Sequence, residues 1–291
     1  MKTKILNLAY SIILFLQLDK IVRFLTRNKV TIISYHNPSV EVFAKHIQYL
    51  SRYYNFISLD EFMTAKKDKI VNTLPKNTMI VTLDDGHKKN AELFGICEKY
   101  QVKPTIYCCS NIVGTKHHYW WSSIPTSELE YYKHLDNKKR ITQLEKKYGY
   151  SINKDHKDDD GLSLADLQRL MKIGGIVGGH TRNHPILSKC DDNELEDEII
   201  FSKMELEQKI GEKIRHFAYP NGTYTTQTLN YIERAGYTSA RTTLSGWNSQ
   251  KTNNYELKVL GISDTASLEK LRVTLTGILG MVIGVFFNNN Y

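Results

Sequence analysis

Met79-Ile80-Val81-Thr82-Leu83-Asp84-Asp85-Gly86 is the stretch whose reading decides the fold. An apolar, β-branched run leads straight into two adjacent carboxylates and a glycine. The run reads as a buried strand, and the glycine marks an immediate turn. A buried strand that ends in paired acids sets ionisable groups at the mouth of an α/β fold. Taken alone, the same residues also fit a plain strand end with a solvated Asp-Asp-Gly turn. A second stretch far downstream, Gly178-Gly179-His180-Thr181-Arg182-Asn183-His184-Pro185, tips the reading toward chemistry.

Outward from the Asp-Asp strand the chain alternates strand and helix. Val30 to Tyr35 reads as a strand stopped by His36-Asn37-Pro38. Val42 to Tyr53 reads as a helix with Phe43, Ile47 and Leu50 on one face. Ser58 with Glu61 caps a short helix from Leu59. Lys89 to Tyr100 predicts a helix and Thr105 to Cys109 a strand. Residues 115–160 break the rhythm, being polar and rich in His and Tyr around Trp120-Trp121. This stretch reads as an insertion over the mouth, with some helix near Lys138 to Tyr148. The alternation then resumes. Ser163 with Asp166 and Asp191 with Glu194 start helices, and Gly211 stops the second. Strands follow at Ile176 to Gly179, Ile214 to Tyr219, Thr238 to Arg241 and Lys258 to Ser263. The pattern predicts an α/β fold, a distorted (β/α) barrel of about seven strands in one domain. That domain spans 29–265, between an amphipathic N-terminal helix over 1–28 and an apolar C-terminal helix over 266–291.

Composition bounds the function. With 41% apolar and 24% charged residues, the 291-residue chain buries a large core and is not disordered. A net charge of +8 points to an anionic neighbour: a phospholipid surface, an acidic glycan or a nucleic acid. The cations are spread along the chain and no nucleic-acid motif is present, so nucleic acid is not expected as a partner. Cys97, Cys108, Cys109 and Cys190 lack zinc or disulfide spacing, which suits a reducing compartment. At the N-terminus, Lys2 and Lys4 precede the apolar run Ile5 to Leu18, and Lys20, Arg23 and Arg27 follow it. The run falls short of the roughly 20 residues that span a bilayer. It also has no small-x-small cleavage site. It reads as a helix lying on a membrane surface or on the protein itself. The C-terminal run Thr274 to Phe287 reads the same way. A peripheral membrane-associated location is therefore expected, on the cytoplasmic face ahead of the exported side. The oligomeric state is left open.

In a barrel, side chains at strand ends converge on one face. Asp84, Asp85, His180, Asn221 and His36 all fall at or just past predicted strand ends. Two histidines and a carboxylate form a common ligand set for a hydrolytic metal with open positions. His180 and His184 reach one ion if a single helical turn separates them. Packed or surface histidines would explain the same residues without a metal. The spacing is not that of the zinc-protease helix, because Thr181 stands where that motif has Glu. Trp120 or Trp121 offers an aromatic face for a sugar ring, or anchors the insertion in the core.

Three segments together resemble the signature motifs of the NodB-type polysaccharide deacetylases, the family-four carbohydrate esterases. They are Thr82 to Gly86, His180-Thr181-Arg182-Asn183-His184, and Phe217-Ala218-Tyr219-Pro220-Asn221-Gly222. The likeness runs in order from about Val30 to Ser263. It implies that Asp84 is the general base and that Asp85, His180 and His184 bind a divalent metal, zinc first, with cobalt or nickel as alternatives. It implies an oxyanion donor at Asn221, with Tyr219 beside it. Tyr35-His36 is similar to a subgroup that includes poly-N-acetylglucosamine deacetylases, which makes His36 the acid. The implied substrate is an acetylated glycan. An O-acetyl esterase, a deformylase or a non-catalytic glycan-binding relative would carry much the same residues.

One departure matters. Phe217-Ala218-Tyr219 lacks the arginine many relatives carry in the proline motif, and Leu257-Lys258-Val259-Leu260 lacks the one in related exopolysaccharide enzymes. If that arginine orients the base, Lys258 or Arg241 has to replace it. Arg182 and Asn183 are expected to shape the turn between the histidines, and His87 to lie behind the metal or at the surface.

Overall fold

The structure is a computed structural model, described for residues 10–278. Its frame is eight parallel strands: β1 Thr31–Tyr35, β2 Asn55–Phe56, β3 Thr78–Leu83, β4 Thr105–Cys108, β5 Ile176–Gly179, β6 His216–Ala218, β7 Ser239–Ser245 and β8 Leu257–Gly261. The order runs β1-β8-β7-β6-β5-β4-β3, and β1 pairs directly with β3. Seven strands therefore close a barrel, as the alternating pattern predicts. The two-residue β2 lies on the outer flank of β3, with Asn55 opposite Thr78.

Alternation along each strand divides the core in two. Ile33 and Tyr35, Met79, Val81 and Leu83, Ile106 and Cys108, and Phe217 face outward into the layer shared with the helices. Ile32, Ile80, Tyr107, Ala218 and Val259 belong to a second, interior cluster, which Leu59, Phe62 and Met63 close at the strand-start end. The glycines of β5 follow the same parity. A Cβ at Gly178 would meet Tyr107 at 2.5 Å inside, and one at Gly179 would meet Tyr237 at 2.3 Å outside. These two positions let large rings pack against the strand backbone.

The capping boxes read from sequence are formed at Ser58/Glu61, Ser163/Asp166 and Asp191/Glu194. Lys89 to Tyr100 departs from the expected helix. It is a tight 3-10 segment, Lys88–Leu93, followed by the α-helix Phe94–Lys99. Buried Asn90 holds the tight half in place, its amide donating to the His36 carbonyl at 2.9 Å. The helix after Asp191 contains a π segment, Glu196–Phe201. The insertion carries helices Leu129–His134 and Asn137–Tyr148 around a small core of Trp120, Tyr132, Leu144 and Tyr150.

Of the helix expected over 1–28, residues 1–9 lie outside the described residues, and the rest is interrupted. Residues 10–15 are helical, Gln17 takes a left-handed conformation (φ 52°), and a second helix spans Leu18–Leu25. At the C-terminus a helix spans Leu268–Thr274, and most of the apolar run expected to continue it lies outside the described residues. No helix among the described residues is long and apolar enough to cross a membrane.

Helix Leu59–Lys67 is tied to the start of β6 by Asp60, whose carboxylate lies 3.0 Å from His216 Nε2. That bond to His216 holds the Asp60 carboxyl below its usual range, with burial opposing. A carboxylate lowered in the folded state adds stability above its unfolded value near ~4 and loses it as the pH falls. Asp60→Asn should therefore lower the urea midpoint by a constant amount above about pH 5. The gap to wild type should shrink toward pH 3, as read by denaturation at each pH.

Candidate active site

The parity that sorts the core also aims the site. Ser34, Thr82, Gly178 and Ser239 lie two residues earlier on the inner face of their strands, so His36, Asp84, His180 and Arg241 all turn toward the barrel's mouth. They line a cavity of about 410 Å³ together with Asp85, His184, Tyr219, Asn221 and the two tryptophans.

Asp85, His180 and His184 are buried and close to one another, every ligand atom within 4.8 Å of the others. Nε2 of each histidine lies 3.3 Å from the same oxygen, Asp85 Oδ1. His180 Nδ1 is 2.7 Å from the Ala218 carbonyl and donates to it. That bond turns its Nε2 into the site, toward Asp85 Oδ1. That oxygen, Asp85 Oδ1, has no hydrogen-bond partner among the described residues. Burial alone would raise the Asp85 carboxyl, yet the surrounding imidazoles hold it well below the usual range. Burial pushes His184 down, so it stays neutral. An ionised Asp85, a neutral His184 and two imidazole nitrogens converging on one oxygen fit a divalent cation.

The expected helical turn between the histidines is not formed. Thr181 (φ 69°) and His184 (φ 55°) are left-handed, and the His184 N–H donates to Thr181 Oγ1 at 2.9 Å. A loop of this shape needs outside support, and Glu198 supplies it from the π segment. Its Oε2 accepts the backbone N–H groups of Arg182 and Asn183 at 2.7 and 2.8 Å, and its Oε1 accepts the Asn183 amide at 2.9 Å. Arg182 itself pairs with Asp197 at 2.9 Å. The expectation that Arg182 and Asn183 shape this turn is met through their backbone. Sequence reasoning missed Glu198. Its only signal was an acid placed beside the buried face of a capped helix.

The insertion holds both halves of the triad. Tyr119 Oη donates to the Asp85 carbonyl at 2.9 Å, and Trp120 Nε1 donates to the His184 carbonyl at 3.0 Å. Trp120 is 1% exposed, with the Arg140 guanidinium 4.7 Å over its ring. It is the anchor of the two tryptophans. Trp121 stays half-buried on the cavity wall, edge-on to His184 at 4.6 Å. His87 reaches Asp85 Oδ2 at 3.1 Å from behind.

Asp84 is gripped by Arg241, whose Nη2 lies 2.5 Å from both carboxylate oxygens. Both groups are buried. Arg241 thus stands where the missing arginine was in question, while Lys258 is exposed. His36 is exposed at the rim, its Nε2 3.8 Å from Asp84 Oδ2. Its loop is fixed by Asp264, which accepts the N–H groups of His36 and Asn37 at 3.0 Å. Tyr219 forms wall: its hydroxyl donates to the Tyr255 carbonyl at 3.1 Å and its ring stacks on Tyr224. Asn221 lies at the cavity in a left-handed conformation (φ 52°).

A parallel barrel with an Asp-His-His cluster and a second, arginine-held Asp at its mouth defines a hydrolase of the carbohydrate esterase type. The chain belongs to the polysaccharide deacetylase family, whose family model matches residues 71–240. Its homologues are hydrolases of carbohydrate esterase family four. YxkH of Bacillus subtilis (strain 168), placed by its name with the polysaccharide deacetylases, is 21% identical over 206 residues. That match covers 69% of this chain and 58% of YxkH, so the chain spans somewhat over half of that relative. Among solved structures, the Streptococcus pyogenes deacetylase PplD, in complex with acetate, has a TM-score of 0.63 at 21% identity. It covers 85% of this chain and 98% of PplD. IcaB from Ammonifex degensii has a TM-score of 0.61 at 17% identity, covering 86% and 97%. These likenesses show the fold.

Removing the brace should loosen the metal site without unfolding the barrel. Glu198→Ala is expected to weaken divalent-metal binding ~10–100-fold, as partners behind metal ligands do. Glu198→Gln, which keeps an acceptor, should lose less. Titration calorimetry with zinc, beside an unchanged far-ultraviolet circular dichroism spectrum, checks both.

Proposed function

We propose that this chain removes N-acetyl groups from amino sugars of a surface polysaccharide or its lipid-linked precursor, in a metal-dependent hydrolysis. The observation that carries the reading is the adjacency of the Asp85-His180-His184 cluster to the Asp84–Arg241 pair, with His36 at the rim. A divalent metal, zinc first and cobalt or nickel as alternatives, would be held by Asp85, His180 and His184. When bound, it lowers the pKa of a water and polarises the amide carbonyl.

The remaining roles fall to the chain's own groups. Asp84 accepts the proton that the attacking water loses. Arg241 fixes both oxygens of Asp84, so the acceptor is oriented before substrate arrives. Asn221 is placed to offer a backbone N–H to the developing oxyanion. His36, at the rim, delivers a proton to the nitrogen as the carbon–nitrogen bond breaks. Acetate and a free amino sugar leave. Trp121 and Tyr219 shape the wall that a pyranose would meet. The arginine lying on Asp84 favours turnover over a purely glycan-binding role. We also place the protein at a membrane surface. The cytoplasmic side is put ahead of the exported one because Cys97, Cys108, Cys109 and Cys190 are free thiols.

Acetate release from a chitooligosaccharide tests this reading. Wild type should release acetate, a chelator should stop it, and Asp84→Asn should reduce it by ~10²-fold or more, with metal content intact. Acetate from O-acetylated sugars alone would replace the amidase by an esterase, and none from any glycan would leave a binding protein. Arg241→Met should lower kcat ~10²-fold with KM little changed, because the guanidinium touches the base and not the sugar.

A further inference from the structure

The helix Leu18–Leu25 is turned inside out. Its one buried residue is Asp19, whose Oδ2 accepts from Arg272 Nε at 2.9 Å and Nη2 at 2.8 Å. Leu18 and Val22 are half-buried, and its other apolar side chains point to solvent instead. Ile21, Phe24 (62% exposed) and Leu25 (71%) continue the exposed Ile12, Phe15 (85%) and Leu16 of the preceding segment. Six large apolar side chains within fourteen residues are exposed, a density that marks an interaction surface.

The charge around these side chains has one sign. Asp19 is the only acid between residues 10 and 30, and it is committed to Arg272. The surface charges left on the segment are Lys20, Arg23, Arg27 and Lys29. Arg27 lies 3.9 Å over the Phe24 ring and Arg23 lies 4.3 Å over Tyr53. Exposed apolar side chains framed by cations, with the acid tucked away, match an interfacial helix on an anionic bilayer. A second copy of the chain would bring like charges together. Residues 279–291 contain no acidic side chain, so they offer these cations no counter-charge.

The segment also has a fixed place on the barrel. It enters β1 at its start, and the Arg27 carbonyl accepts the Asn77 N–H at 2.7 Å, just before β3 begins. Tyr53, under Arg23, lies just before β2. All three contacts are at the strand-start end, whereas His36, Asp84 and His180 follow strand ends. Roughly 20 Å of strand separates the two.

We propose that the exposed face of residues 12–27 docks this protein on an anionic phospholipid surface, with the active-site mouth turned away from the bilayer. The proposal rests on the membrane-surface reading above and adds the face and the orientation. Of the two glycan sources, it selects a polymer or long chain that reaches the mouth from the water phase. A sugar held next to the headgroups would lie on the wrong side of the barrel.

The test uses the full chain and needs no turnover. Co-sedimentation is measured with vesicles of phosphatidylcholine alone and of phosphatidylcholine mixed with phosphatidylglycerol. Binding is expected only to the mixed vesicles. Lys20→Glu and Arg27→Glu should each weaken it ~5-fold or more, and Phe15→Ser/Phe24→Ser/Leu25→Ser should abolish it, with circular dichroism unchanged. Equal binding by wild type and the triple variant overturns the docking face. So does absence of wild-type binding, and a drop in thermal midpoint of the triple variant would then assign the face to the chain's own tail. A shift in its elution volume would assign it to a second copy. Acetate release from a soluble chitooligosaccharide should be unchanged on vesicles. Its loss on binding, with activity free in solution, overturns the orientation alone.

Discussion

Two imidazole nitrogens converging on one buried carboxylate oxygen are the arrangement that the rest of this structure serves. The Ala218 carbonyl accepts from His180 Nδ1 and so turns Nε2 toward Asp85 Oδ1, 3.3 Å away. A divalent cation at that point would be met by all three side chains. The rest of the molecule can be understood as the scaffold needed to hold that arrangement in place. The barrel brings β3 and β5 close, β6 supplies the carbonyl, and separate braces restrain each loop.

Those braces come from outside the motifs. The segment 181–184 departs from regular geometry at both Thr181 and His184, and such backbone is kept only where its surroundings determine it. Glu198 does so from below through an irregular helix turn, and Tyr119 and Trp120 do so from the side through the ligands' own carbonyls. On the other side of the cavity, Arg241 settles the orientation of Asp84, and Asp264 settles the path of the His36 loop. The cluster and the base are thus positioned by independent sets of contacts, which allows one to be disturbed while the other stands.

The barrel was legible in the sequence because strand burial and helix caps are local signals. Val30 to Tyr35 and Met79 to Leu83 are mostly apolar with no charged residue, as suits strands buried on both faces, and three Ser or Asp caps sit three residues before their acids. Asp84, Asp85, His180 and His184 were legible because motif residues at strand ends share one phase. Glu198 was not, because its role depends on a π turn that shifts the helix by one residue, and no periodicity announces such a shift. The helical turn expected between His180 and His184 failed for a related reason: four-residue spacing is also met by a loop with two left-handed residues. Arg241 could be named only as a substitute, since its contact with Asp84 joins residues 157 apart. The inverted helix at Leu18–Leu25 was half legible. Its apolar run was plain, but which side faced the protein hung on one ion pair to Arg272.

The insertion has a double allegiance that bears on how such enzymes diversify. Leu129 and Lys133 line the cavity from its helix, while Tyr119 and Trp120, a few residues upstream, grip the carbonyls of Asp85 and His184. Substitutions in this segment that reshape the cavity wall also alter its hold on the backbone of Asp85 and His184. Cavity shape and the geometry of the Asp-His-His cluster then change together, and a foreign insertion grafted onto this barrel would carry both at once.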